Sequence, residues 1–563
     1  MKKVICILML LIAVACIFTS CNNGGGDIPS APPLSNAEVN GSQGLSFSSY
    51  GNGYSVSGIG TCTDRDIVIP STYNGKSVVC IGYRAFENCE TITSIILPNS
   101  ITSIGDYAFK NCSSLEEITL TDSLTEIGDA SFWGCKSLKT IDLPNSVTNI
   151  GGWAFSYCEN LQNITIPNGI KTIEDFTFYN CYSLRSVNIP EGITEIGNQA
   201  FCDCRSLVKI VIPDSVTEIG QWVFGQCRNL ESITIGESLC SIGENAIYEC
   251  SSLKAIIVDD NNKTYKSIDG NLYTKNEKTL IQYAIGKKAQ AFSIPNSVQY
   301  IGADAFAYCD YIRQVFIPDS VINIGEYAFS YCKELETINI PNSVTCFNNG
   351  VFWSCSSLKY NSYNGACYLG NETNPYLVFL KGNQWSENCQ INANTKFIHS
   401  NAFRDFTSLT EVSIPNSVID IGAYAFYGCE SLKKVNIPNG IVEIDEYTFS
   451  DCTSLKSISL PDSVTNIGTG AFQRCYLLEE IAIPSAVTNI GGYAFQDCTS
   501  LKSLSLPASI ENIGEWSFNS CTLLTKISFE GTKSEWNVIK KGSNWNGSTE
   551  NYTIYCKDGS ITQ

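Results

Sequence analysis

The 27 cysteines and the single histidine, His399, set the limits of the chemistry open to this 563-residue chain. One histidine excludes two-histidine zinc sites and histidine relays by count. A Ser-His-Asp arrangement would rest on His399 alone, and no nucleophile elbow surrounds it. Cys202-x-Cys204 has the spacing of a metal-ligand pair, but no second pair follows. Gly75-Lys76-Ser77 ends like a phosphate-binding loop, yet Pro70 stands where the earlier glycine belongs. Asp259-Asp260-Asn261-Asn262 starts like a calcium loop and lacks its glycine, with Tyr265 following Thr264. The adjacent acids Glu116-Glu117 and Glu479-Glu480 fall in strand-like segments, where neighbours are expected to face opposite sides and so cannot work as a catalytic pair. The expectation is a chain without catalysis, metal or cofactor.

Cysteine is then the one reactive type present in quantity. Of the 24 cysteines after Cys21, 16 recur three residues behind a phenylalanine or its substitute Ile247: Cys89, Cys112, Cys135, Cys158, Cys181, Cys204, Cys227, Cys250, Cys309, Cys332, Cys355, Cys429, Cys452, Cys475, Cys498 and Cys521. Where the run is unbroken the step is 23 residues, and self-similarity at a period of that size marks a solenoid. Equivalent cysteines in stacked repeats would lie about 5 Å apart, the spacing of paired strands. Their side chains would point the same way rather than at each other, which is poor disulfide geometry. A ladder of buried free thiols is expected, acting as small apolar fillers with weak hydrogen bonds to backbone. Cys62, Cys80, Cys202, Cys240, Cys346, Cys367, Cys389 and Cys556 lie off the ladder, with Cys367 and Cys389 the first candidates for an oxidised pair.

The elements that position these residues follow from the repeat, Leu-x-x-Ile-x-Ile-Pro-x-Ser-Val-Thr-x-Ile-Gly-x-x-Ala-Phe-x-x-Cys, of which 17 units run from Phe86 to Phe518, with Phe406 replacing the cysteine in one. Leu-x-x-Ile-x-Ile is expected as a short strand pairing in parallel with its equivalents, and the proline behind it stops the pairing. Val-Thr-x-Ile-Gly is a second extended piece, and Ala-Phe-x-x-Cys is expected as one helical turn with Phe filling the centre. The fold class is a mainly β repeat solenoid. Residues 82–527 form the array, broken by inserts at about 256–294 and 359–398, the first expected as a hairpin. Residues 44–81 and 528–563 are expected to cover its two ends, the latter with a helix near Ser534 to Lys541 and a closing strand.

Two sets of variable positions could meet a partner. Two residues before the repeat Phe stands an aromatic in nine of 17 repeats: Tyr107, Trp153, Phe176, Trp222, Tyr327, Tyr424, Tyr447, Tyr493 and Trp516. These form either a partly exposed binding stripe or ring packing between repeats. The strand's middle position carries Thr119, Asp142, Thr165, Asn188, Thr234, Asn339, Ser413, Asn436, Ser459 and Ser505, so one sheet face is expected to be small and polar. A net charge of −19 opposes binding to nucleic acid and to acidic lipid.

Residues 1–20 read as an export signal, Lys2 and Lys3 preceding an apolar run from Val4 to Phe18 that is too short for a comfortable membrane span. Thr19-Ser20-Cys21 resembles the lipobox of bacterial lipoproteins, although Phe18 stands where that pattern prefers Leu and Ala13-Val14-Ala15-Cys16 offers a weaker competing site. The resemblance implies lipid on Cys21. Residues 21–43, with Pro29, Pro32 and Pro33, are expected as a disordered tether.

The repeat closely resembles that of the BspA-like leucine-rich repeat family of bacterial surface proteins, over most of the chain. Tyr54-Ser-Val-Ser-Gly-Ile-Gly-Thr-Cys, Tyr368-Leu-Gly-Asn-Glu and Glu530-Gly-Thr-Lys-Ser-Glu-Trp536 add to the match. The resemblance implies surface exposure, outer-membrane placement for a lipoprotein member, and adhesin-like binding of host matrix proteins, host cells or other bacteria, through proteins or glycans. It transfers no catalytic motif. An enzyme acting on polysaccharide and a structural envelope component are the alternatives.

Overall fold

In the computed structural model, residues 41–547 and 552–562 are described, and the export signal, Cys21 and nearly all of the tether lie outside them. Each repeat adds one rung to three parallel ladders. Ser103–Ile104 pairs in register with Cys80 and Ile81 on one side and with Glu126 and Ile127 on the other. Glu117–Thr119 pairs with Ser94–Ile96 of the rung before. Both ladders step by one whole repeat because the inward Ile must fall over its equivalent, and a slip of one residue would turn it to solvent.

The third ladder replaces the expected helical turn. The amides of Tyr107, Phe109 and Asn111 donate to the carbonyls of Asp129, Ser131 and Trp133 in the next rung, at 2.8, 2.8 and 2.7 Å. The intervening amides of Ala108, Lys110 and Cys112 bond three residues back, to Gly105, Tyr107 and Phe109. Tyr107 and Asn111 hold φ of 58° and 60°, so the segment is a run of linked turns. A helix aims all its amides along its own axis, whereas here every second one is recruited across to a neighbour.

The core lies between the ladders. Phe86, Phe109, Phe132 and Phe155 are fully buried and stack with centroids 5.3 to 5.4 Å apart, each contributing about 2–3 kcal/mol of burial. At the bend before the turns the rungs touch backbone to backbone: a Cβ on Gly243 would lie 2.4 Å from the amide nitrogen of Gln221. Glycine there is a contact requirement.

Both breaks are antiparallel meanders that rejoin the array. The first consists of three strands, Tyr265–Ile268, Asn271–Thr274 and Thr279–Gln282, one more than the hairpin expected, and its last strand pairs in parallel with Tyr300–Ile301. The second consists of Asn361–Tyr363, Ala366–Leu369 and Val378–Lys381, the last pairing with Phe397–Ile398. The buried core divides into three clusters at these two places. Ser46–Tyr50 and Gly53–Gly58 form a hairpin ahead of the first rung. After the last, a helix at Lys533–Val538, capped by Thr532, brings buried Trp536 against Phe529 and Trp545, and Thr553–Cys556 pairs with Lys526–Phe529.

Candidate binding surface

All 24 cysteines among the described residues are free thiols, Cys367 and Cys389 included. On the repeat ladder, 14 of them donate S–H to the carbonyl of the Phe one rung earlier, Ile247 never being the acceptor, with Sγ to O distances of 3.0 to 3.3 Å. Behind the first insert Cys309 instead faces the carbonyl of Ile285 at 3.9 Å. Burial pushes these thiols up, to about 12 for Cys250, Cys309, Cys355, Cys429 and Cys521. They are therefore protonated at neutral pH, and the nucleophilic thiolate is absent from the ladder.

His399 stands where most repeats have the bend glycine. It is pushed down to about 4 by burial and packs beside the rings of Phe347 and Phe352. Its Nδ1 lies 2.8 Å from the Ser400 carbonyl, and its Nε2 has no hydrogen-bond partner. A neutral imidazole among phenylalanines is a packing residue. Asp304 and Asp420 are pushed up to about 7, in each case first by burial and then by neighbouring acids, Glu326 and Glu244 for the one, Asp445 and Glu443 for the other. The expectation that Glu116-Glu117 and Glu479-Glu480 face opposite sides is not met: all four are exposed. Pleating begins only at Glu117 and Glu480, the first residues of their strands. Glu116 and Glu479 instead pair along the array with Lys139 and Lys502. Among the described residues no group of three or more His, Cys, Asp or Glu could hold a metal ion, and no helix is long and apolar enough to cross a membrane.

The nine aromatics before the repeat Phe all have positive φ, as do the residues that replace them, Arg84, Ala130, Gln199, Asn245, Asp304, Gly350, Asn401 and Gly470. None of the replacements is β-branched, the class that a left-handed backbone tolerates least. The rings lean onto the next rung. Trp153 stacks on Phe176 with centroids 3.8 Å apart, and Tyr424 on Tyr447 at 5.0 Å. Tyr327 lies across Gly350 and Tyr447 across Gly470, where an added Cβ would meet ring carbons within 2.2 and 2.3 Å. Packing between repeats is thus real, yet each ring keeps part of its surface in solvent: Trp153 and Tyr327 are 38% and 41% exposed, and the other seven are half-buried.

A second aromatic column escapes the repeat reading. Trp133, Tyr157, Tyr179, Tyr248, Tyr308, Tyr331 and Tyr427 follow the repeat Phe or Ile247 by one or two residues; they meet one another in contacts such as Tyr157–Tyr179 and Tyr308–Tyr331, and the first column in Phe176–Tyr179, Trp222–Tyr248 and Tyr424–Tyr427. The variable offset hides it from a strict alignment by period. Beside the first column runs a line of acids. Asp106, Asp129 and Asp175 each accept, through Oδ1, the amide of the equivalent residue in the next rung, and Glu244, Glu326, Glu446 and Glu515 continue the line. Cations of the chain lie over the rings: Arg84 over Tyr83 and Tyr107, Lys110 over Tyr107 and Trp133, and Arg404 over Tyr424 and Tyr427.

The strand face differs from the small polar platform expected. Thr119, Asp142, Thr165, Asn188, Ser413, Asn436 and Ser459 are exposed there, but Val211, Ile257 and Phe316 occupy the same position at 60%, 50% and 45% exposure. Val211, Thr234 and Ile257 stand side by side in register. The position looks into solvent, so core packing does not select polarity there, and β-branched residues suit the strand.

Comparison with known proteins bears on what such an edge belongs to. The profile of the BspA type leucine rich repeat region matches residues 79–208, 194–283, 281–372, 381–499 and 468–543, well over half of the chain. A leucine rich cell surface protein from Faecalibacterium prausnitzii A2-165 is similar at 25% identity, over 90% of this chain and 99% of its own, with a TM-score of 0.38. A leucine-rich repeat protein from Bacteroides ovatus ATCC 8483 is 23% identical over 93% and 100%, with a TM-score of 0.27. The pneumococcal vaccine antigen PcpA is 18% identical over 91% and 96%, with a TM-score of 0.36. No curated protein sequence matches the chain.

Proposed function

The chain belongs to the BspA type leucine-rich repeat family, and from that membership we propose a non-catalytic, adhesin-like binding protein, displayed at the bacterial cell surface on a lipid anchor at Cys21. Its partners are surface or matrix proteins, or glycans, of host or bacterial origin. The observation that carries the reading is the turn edge, where partly open rings stand in nine of 17 repeats with a line of carboxylates beside them, while 14 of the 16 ladder thiols are buried. Open aromatic surface on a rigid repeat array is the composition enriched at interfaces.

Two experiments test it. Protease treatment of intact cells should remove the array while a cytoplasmic control survives, and Cys21→Ser should release it from the membrane fraction. Purified array should show saturable binding in a panel of matrix proteins and glycans. Survival on shaved cells, or no saturable partner, counts against the reading. The rival, an enzyme acting on polysaccharide, would rest on the raised carboxyls of Asp304 and Asp420. Cleavage of a glycan panel that is lost in Asp304→Asn or Asp420→Asn would decide for it.

A further inference from the structure

The turn edge already binds cations of its own chain. Arg84 sits 5.0 and 5.1 Å from the ring centroids of Tyr83 and Tyr107, and Arg404 sits 5.5 and 4.8 Å from those of Tyr424 and Tyr427. These separations are those of cation–π contact. At the second break the edge is drawn together: Asn349 accepts the amide of Ala423 at 3.0 Å and donates to Asp445 at 3.0 Å, spanning 74 and 96 residues of sequence. Tyr327, Tyr424 and Tyr447 come near one another there, with the charge of Glu446 acting on Tyr327 and Tyr424 alike. Glu326 and Glu446, each beside one of these tyrosines in sequence, are exposed. Tyr327 rests one ring face on Gly350 and is 41% exposed, whereas Tyr447 is held between Gly470 and the ring of Tyr424. Among the described residues, no cation of this chain covers the Tyr327 ring in the way that Arg404 covers Tyr424.

We propose that this stretch of the edge docks lysine or arginine side chains from a basic, extended segment of a partner protein. The outer face of Tyr327 takes a cation, and Glu326 and Glu446 neutralise the segment's charge. A net charge of −19 draws such a segment in. The inference rests on the binding role proposed above and narrows its partner class.

The test titrates full-length protein into fluorescein-labelled deca-arginine, read by anisotropy, with deca-glutamate and a neutral β-glucan oligosaccharide as contrasts. Deca-arginine is expected to bind and the other two are not. Glu326→Gln with Glu446→Gln should weaken binding about tenfold or more and flatten its salt dependence. Tyr327→Asn, which suits the left-handed backbone, should weaken it about threefold or more. Glu116→Gln with Glu479→Gln, an equal loss of charge on the strand face, should leave it unchanged. Equal weakening in that control, unchanged binding in both edge variants, or tighter binding of the glucan overturns the proposal. If deca-arginine fails while shaved cells lose the array and a partner is captured, only this inference falls.

Discussion

Cys112 donates its thiol hydrogen to the carbonyl oxygen of Phe86 across 3.1 Å, and the same oxygen accepts the amide of Cys89 at 3.0 Å. One carbonyl thus closes its own turn and ties down the next rung. The ladder position needs a side chain that is small, tolerates full burial and carries one donor, and cysteine meets all three conditions.

Cys158→Ala is therefore expected to cost about 1–3 kcal/mol, from the lost contact volume and hydrogen bond together. Cys158→Val fills the volume but brings no donor and crowds the turn, and should cost at least as much. Hydrogen exchange over residues 132–181 should show the loss locally, since repeat arrays transmit it mainly to neighbours. Unchanged protection in Cys158→Ala would remove the thiol from the stabilising contacts.

The same burial makes the array alkali-sensitive. A thiol raised to about 12 in the fold, as in Cys250, Cys429 and Cys521, and near 8.5 when unfolded, holds its proton only in the folded chain between those values. Stability is then full below about pH 8.5 and falls as pH rises toward 12, by about 1.4 kcal/mol per pH unit for each such thiol. Thermal melts from pH 7 to 11 should show a steep decline. A thiol reagent at pH 8 should label exposed Cys240 in the native protein and reach the ladder only on unfolding.

Asp420 behaves in the opposite sense to an ordinary surface acid. Its carboxyl, raised to about 7, keeps its proton in the fold while the unfolded chain releases it near 3.9. Its contribution is present below pH 4 and lost as pH rises to 7. Asp420→Asn should accordingly stabilise the second break at pH 8 and make no difference at pH 4, measured by hydrogen exchange of residues 397–421. His399, lowered to about 4, has the reverse dependence: its contribution is full above pH 6.5 and lost as pH falls through 4.

Gly243→Ala should disrupt the fold at its rung, at a cost of about 3 kcal/mol or more, because the new Cβ meets backbone at 2.4 Å and backbone cannot step aside. Gly75→Ala is a useful contrast. Its Cβ would meet open space, so only the left-handed φ of 74° opposes it, at about 1 kcal/mol. Similar melting points for the two variants would contradict the contact requirement.

Much of this could be read from residue order. The 23-residue period, the two strands, the stop at proline and the sequence positions of the breaks follow from apolar positions recurring in register, because a repeat that cannot bury its face alone must stack. The turn column was misread for a physical reason: Ala-Phe-x-x-Cys has helical spacing, but its backbone takes φ near 60° at Tyr107 and Asn111 to share amides with the neighbouring rung. That choice depends on a partner rung, which local sequence does not contain.

The edge divides in the same way. The sequence alone determined that an aromatic stands two residues before the repeat Phe in nine of 17 repeats. Only the tertiary structure decided that Tyr327 lies on Gly350, that Arg404 covers Tyr424, and that Asn349 reaches Ala423 and Asp445. The period fixes which residues share a column, since each rung must bury the same face. Which ring faces remain open depends on how far a side chain leans over the next rung, and on how an insert draws distant rungs together, and neither is a property of spacing along the chain.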